Sequence, residues 1–200
     1  MTWIHAVLYE ESTGRLRTLY DSIKDPHDSI DNIMKAHSLR PHSMVGHLSL
    51  YKNVLHHSAN TLPQWLLECL GLYVSLMNSC EYCVDHHSEG MRRALGNDGR
   101  ARLVRDSLEN GNLAVAFDSK ERAVLHYAER LTRRPEDVEE NDVLLLRAAG
   151  FSDGEILEAN QVISYFAYAN RMVQGLGVTT EGDILGLSPS GQDPSDLSHH

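Results

Sequence analysis

Hydrophobic positions in this chain recur mostly at spacings of three and four, the rhythm of helices with one buried face. Leu16, Leu19, Tyr20 and Ile23 set a first helix, and Asp25-Pro26 ends it. Ile30, Ile33 and Met34 begin a second. Pro41 opens a third at its first turn, carried on through Val45, Leu48, Leu50, Tyr51 and Leu55. Pro63 begins a fourth over about 62–77, which Asn78-Ser79 interrupts. Ser79 is the expected cap of a fifth over 80–95, stopped by Gly96. Asp118 and Glu121 have capping-box spacing ahead of Val124, Tyr127, Ala128 and Leu131. A helix through 144–149 ends at Gly150. Ser152 and Glu155 open the last and longest, whose face reads Ile156, Ala159, Ile163, Phe166, Ala167 and Asn170 before Gly175 and Gly177 close it. Only Trp3 to Leu8 reads as extended. The expectation is an all-α protein of about eight helices. One domain is expected over 1–186, with a mobile Ser-, Pro- and Asp-rich tail over 187–200.

Composition agrees with a packed core: 42% of the 200 residues are hydrophobic. Acidic residues number 28 against 18 basic, a net charge of −10. Such a chain has no general attraction to nucleic acid or anionic membrane, so neither is an expected partner. Apolar runs such as 143–146 fall far short of the roughly 18–20 residues of a membrane span. The apolar start is interrupted by Glu10 and Glu11 and does not read as a signal peptide. The expected compartment is therefore the reducing cytoplasm. Three cysteines, Cys69, Cys80 and Cys83, make no disulfide framework.

Two of the three form C-x-x-C at the start of the fifth helix, where unpaired amides and the helix dipole favour a thiolate. A thiol of pKa about 8.5 is only about 3% ionised at pH 7. Lowering that pKa by two units makes it roughly three-quarters thiolate, at about 2.7 kcal/mol. That is within reach of a helix terminus plus one polar neighbour. His87 can be that neighbour: Cys80, Cys83 and His87 stand at i, i+3 and i+7 on one face. An imidazole can take a thiol proton and return it to a leaving group. The helix terminus favours Cys80 as nucleophile and the histidine favours Cys83, and spacing leaves both open.

Glu68, Cys80, Cys83 and His87 fit E-x11-C-x2-C-x3-H. With NIMKAHSLRP (32–41), NSCEYC (78–83) and FAYANR (166–171), they resemble the alkylhydroperoxidase D-like branch of the carboxymuconolactone decarboxylase superfamily, in particular its peroxidase-related proteins. The resemblance covers residues 30 to 180. It implies an all-helical fold, a homotrimer or homohexamer, and antioxidant thiol peroxidase chemistry without an organic cofactor. It makes Cys83 the peroxidatic nucleophile and Cys80 the resolving thiol. His87 would activate Cys83 and Glu68 would join the proton relay. A hydroperoxide is the implied substrate and an external dithiol, such as a dihydrolipoyl protein, the implied donor. The family's well-studied alkylhydroperoxidases carry a histidine just before the second cysteine, where this chain has Tyr82. A phenol there is a poorer proton carrier but can donate a hydrogen bond to a peroxide oxygen.

Other residues read more plainly. Cys69, in an apolar stretch, reads as core packing. Glu68, amid Leu66, Leu67, Leu70 and Leu72, is a carboxylate that needs a reason to be there. His86 reads as solvated or structural. His37, His42, His47, His56 and His57 show no metal-ligand repeat, and His199 and His200 end the tail. Asn170 and Arg171 read as hydrogen-bond or interface anchors. Two other functions compete: metal binding by Cys80, Cys83 and His87, whose donor types suit zinc, and a non-enzymatic redox sensor.

Overall fold

The computed structural model describes residues 2–24 and 27–187. Its α-helices are α1 (Gly14–Ile23), α2 (Asn32–Ala36), α3 (Pro41–Tyr51), α4 (Gln64–Met77), α5 (Glu81–Leu95), α6 (Asp98–Glu109), α7 (Ser119–Arg133), α8 (Glu140–Ala148) and α9 (Asp153–Leu176). There is no strand among the described residues, so the extended expectation for Trp3 to Leu8 is not met. That segment is held singly: Trp3 N–H donates to the Leu176 carbonyl and Val7 N–H to Ser38 Oγ. The expected stop at Asp25-Pro26 and the tail past Leu187 lie outside the described residues. No described helix is long and apolar enough to cross a membrane.

The expected capping boxes form at Asp118/Glu121 and Ser152/Glu155. A third, at Glu139/Asp142, opens α8. Helix α6 was not expected; Asn97 caps it through the Arg100 amide, and Ala101, Val104 and Leu108 are its buried face.

Helix α4 is the centre. Residues 66–75 are buried on every side, as an all-round apolar helix must be. Helix α5 packs antiparallel on it, and α9 runs parallel, in step through Gly71–Phe166, Ser75–Asn170 and Asn78–Gln174. Gly71 is required where it stands, since a Cβ there would lie 2.3 Å from the Phe166 ring. A large core surrounds α4, and a smaller one joins α1, α2 and α3 through Tyr20, Met34, Met44 and Leu48. Between them lies a third cluster holding Cys80, Tyr82 and Cys83.

Two local departures position the site. Helix α3 ends at Tyr51 and continues as a π-helical turn over Lys52–His56. And Ser79 does not cap α5. Its φ of 55° is left-handed, and it ends α4 with paired bonds, Ser79 N–H to Leu76 O and Cys80 N–H to Ser75 O. A residue in that conformation cannot take the extended geometry of a cap, so the cap moves to Cys80.

Candidate active site

Cys80 is the N-cap of α5 and Cys83 its third residue, so one turn brings their sulfurs to 2.9 Å. Both are free thiols and both are buried. They ionise unequally. The hydrogen bond from Cys83 lowers the Cys80 pKa; burial opposes it, and the Cys83 amide and Asn170 assist. The same hydrogen bond raises Cys83 well above the usual thiol range, with burial and the Cys80 charge adding to it. When the pair shares one proton, the negative charge is therefore favoured on Cys80 and the proton on Cys83. This follows the helix-terminus argument.

Access follows the histidine argument. Cys83 lines a cavity of about 40 Å³ together with His87, Glu68, Tyr51, Tyr165 and Phe166. That space admits water-sized groups beside Cys83.

Glu68 is 2% exposed and its carboxylate is fully engaged. His87 Nδ1 donates to Oε2 at 2.7 Å and Gln64 Nε2 to Oε1 at 3.3 Å, with His56 Nε2 3.7 Å from Oε1. Burial alone would raise the Glu68 pKa; the charge and hydrogen bond of His87, then His56 and Gln64, outweigh it, and the net shift is downward. A carboxylate can only accept, so Nδ1 carries the His87 proton and Nε2 is left for the cavity chemistry. The Phe166 ring meets His87 edge-on at 4.5 Å and fixes its plane. Cys83 and His87 share the cavity without a direct hydrogen bond among the described residues, although i,i+4 spacing allows one.

Several supporting residues were not legible in the sequence. Gly90 faces Glu68, and a Cβ there would lie 2.8 Å from Oε2. Gln64 joins Glu68 to His56 through Nδ1 at 3.1 Å. His56, delivered by the π-helical turn, is also 2.9 Å from the Tyr51 hydroxyl. Burial depresses its pKa to about 4, so it stays neutral.

The remaining expectations resolve as follows. Tyr82 does not offer its hydroxyl proton to the cavity: it donates to Asp183 Oδ2 at 2.8 Å and accepts from Ile33 N–H at 3.3 Å. Its one proton is committed, and burial with Asp31 and Asp183 nearby holds its pKa well above the phenol range. His86 is not solvated; it is buried and stacked on Tyr82 at 4.5 Å. Cys69 is core, its pKa pushed far up by burial. Asn170 is a buried hydrogen-bond anchor, donating to Ser75 Oγ and accepting from Asn78. His37 and His47 stack together, and His47 Nε2 meets the Tyr165 hydroxyl. Cys80, Cys83 and His87 are not grouped among the described residues as one set of converging ligand atoms.

No protein-family model and no curated protein matches the chain. Solved structures do. An alkylhydroperoxidase AhpD-core, peroxidase-related protein from Ralstonia eutropha JMP134 superposes with TM-score 0.77 at 20% identity, over 89% of this chain and 91% of that one. A peroxidase-related protein from Silicibacter sp. TM1040 gives TM-score 0.73 at 21% identity, over 87% and 91%. The debrominase Bmp8 gives 0.69 at 17%, over 87% and 90%. The chain therefore has the all-helical AhpD-core fold, shared with peroxidase-related proteins and with a debrominase.

Proposed function

We propose that this protein is a thiol-dependent peroxidase that reduces a small hydroperoxide through Cys83 and Cys80, in antioxidant defence of the cytoplasm. The fold is shared with a debrominase, so the reading rests on the site and not on the fold. The observation that carries it is a thiol pair at 2.9 Å, one member of which shares a cavity with a carboxylate-anchored histidine.

Once the pair has lost one proton, the other can pass across the 2.9 Å contact from Cys83 to Cys80. Cys83 is then the thiolate on the cavity. It attacks the terminal peroxide oxygen; the O–O bond breaks, Cys83 becomes a sulfenic acid, and the leaving alkoxide takes the Nε2 proton of His87 in its imidazolium form, which solvent water then replaces. Cys80 attacks the sulfenic sulfur, forming the disulfide and releasing water. An external dithiol, for which a dihydrolipoyl protein is suitable, is oxidised to its own disulfide and restores both thiols. Glu68 holds His87 in the tautomer this needs. Exposed Leu50, Leu144, Leu145, Leu157 and Tyr168 support a homo-oligomer, trimer or hexamer, which light scattering would size.

The test is turnover of an organic hydroperoxide with excess dithiol. Wild type should turn over and Cys83→Ser should not. His87→Gln should slow the reaction by roughly 10²–10⁴-fold. Cys80→Ser should consume one equivalent of peroxide and stall as a trappable sulfenic acid. Full turnover by Cys83→Ser would sink the reading. A single equivalent consumed by Cys83→Ser but none by Cys80→Ser would reverse the two roles.

A further inference from the structure

A second group of ionisable side chains borders the same cavity and takes no part in the thiol chemistry. Asp31 lies just before α2, His86 is on α5, and Asp183 is in the segment that follows α9. One ligand atom from each lies within 4.8 Å of the other two. Asp31 and His86 line the cavity that holds Cys83.

His86 is the informative member. It is 8% exposed, and its Nε2 is buried with no hydrogen-bond partner. That nitrogen is aimed at the carboxylates, 3.5 Å from Asp183 Oδ2, which is too long for a good hydrogen bond. Buried polar atoms rarely stay unpaired without a reason. The ring cannot simply turn away, because it is stacked on Tyr82. Asp183 is equally fixed. Its side chain is fully buried, and its oxygens accept from Asn32 N–H at 3.1 and 3.0 Å and from Tyr82 O–H at 2.8 Å. Asn32 in turn donates its side-chain amide to the Thr179 and Glu181 carbonyls, tying the segment that carries Asp183 to α2. Two donors occupy only part of what a carboxylate can accept.

We propose that Asp31, His86 and Asp183 form a zinc site whose remaining position opens on the cavity. One imidazole and two carboxylates supply a three-ligand N,O set of the kind zinc takes when a fourth position stays open. An all-oxygen cage would instead suit magnesium or calcium. Zinc bonds of about 2.0–2.2 Å place tetrahedral donors about 3.4 Å apart. The 3.5 Å between His86 Nε2 and Asp183 Oδ2 already fits that spacing, so any closing inward falls to Asp31.

The thiols are themselves zinc ligands, so the test removes them. The full-length Cys80→Ser/Cys83→Ser protein is titrated with zinc chloride by calorimetry at neutral pH. We expect about one ion per chain, and at least tenfold weaker binding when His86→Gln is added. Wild-type crystals soaked in zinc should show an anomalous peak between Asp31, His86 and Asp183, a measurement that needs no variant to fold. No uptake by the thiol-free protein would overturn the site. So would unchanged affinity in the His86 variant, or zinc bound only at surface histidines. The thiol-free protein cannot reduce peroxide, so this outcome is independent of the peroxidase reading.

Discussion

A Cβ at Gly90 would stand 2.8–3.1 Å from the Glu68 carboxyl atoms. Elsewhere on a helix, replacing glycine by alanine gains about 1 kcal/mol. Here the added methyl pushes the carboxylate away from His87, to which it is held at 2.7 Å. Gly90→Ala should therefore lower peroxide turnover by about 10–100-fold, the usual effect of disturbing a group that orients a reactive one, while the helical circular dichroism stays unchanged. Turnover at the wild-type rate would show that Glu68 does not need this contact. The sequence makes Glu68, Cys80, Cys83 and His87 visible because their spacing is local to two consecutive helices. Gly90, Gln64 and His56 were invisible because each is selected by packing. Gly90 matters only where α5 crosses α4, and His56 reaches Glu68 only through a π-helical turn that hydrophobic spacing reads as ordinary helix.

Between α4 and α5 the chain turns in three residues, and α9 is what holds the turn. Asn170 bonds Ser75 and Asn78, Gln174 Nε2 donates to the carbonyls of Asn78 and Ser79, and Ser75 Oγ donates to Gly71 O. Asn170 also helps to lower the Cys80 pKa. Asn170→Ala should cost about 1–3 kcal/mol, the penalty for stranding buried partners, read as a fall in the urea midpoint. It should also raise the Cys80 pKa, seen as a later rise of thiolate absorbance on alkaline titration. A loss of stability with no change in the thiolate curve would confine Asn170 to holding the turn. Most elements were legible from periodicity and caps, notably both capping boxes and the glycine stops at Gly96 and Gly177. Helix α6 was not, since three arginines interrupt its short apolar face. The cap of α5 was misplaced by one residue because serine is a common cap, and nothing in the local sequence signals its left-handed conformation.

Across the whole molecule, neutral histidines are part of the packing. His47 and His56 ordinarily titrate at 6.5, but burial, first of all, depresses them to about 3 and about 4. The unfolded chain takes up protons below pH 6.5 that the folded one refuses, so stability falls as pH drops from 6.5 toward 4. Glu68 acts in the same direction. Its folded pKa is lowered, so its contribution is present above the unfolded value and is lost as acid protonates it. Unfolding free energies from urea titrations at pH 7, 5.5 and 4.5 should decrease in that order, by on the order of a few kcal/mol in total; a flat series would contradict the burial of these rings as neutral groups. The all-helical class was legible from the chain, because a 3.6-residue period is a property of each segment. How the parallel α4 and α9 bring a cavity between two cores was not, because it depends on contacts between residues about ninety-five apart.

The segment after Gly177 contributes Asp183, which pins Asn32 and Tyr82, and then Gly186 and Leu187, which line the cavity. Synthesis runs from the N-terminus, so α4, α5 and both cysteines leave the ribosome long before that wall exists. For that interval the cavity that Cys83 lines lacks Gly186 and Leu187. That part of the cavity wall is in this sense acquired only with the last of the described residues, and a ribosome stalled after α9 would hold a chain whose cysteines are present without it.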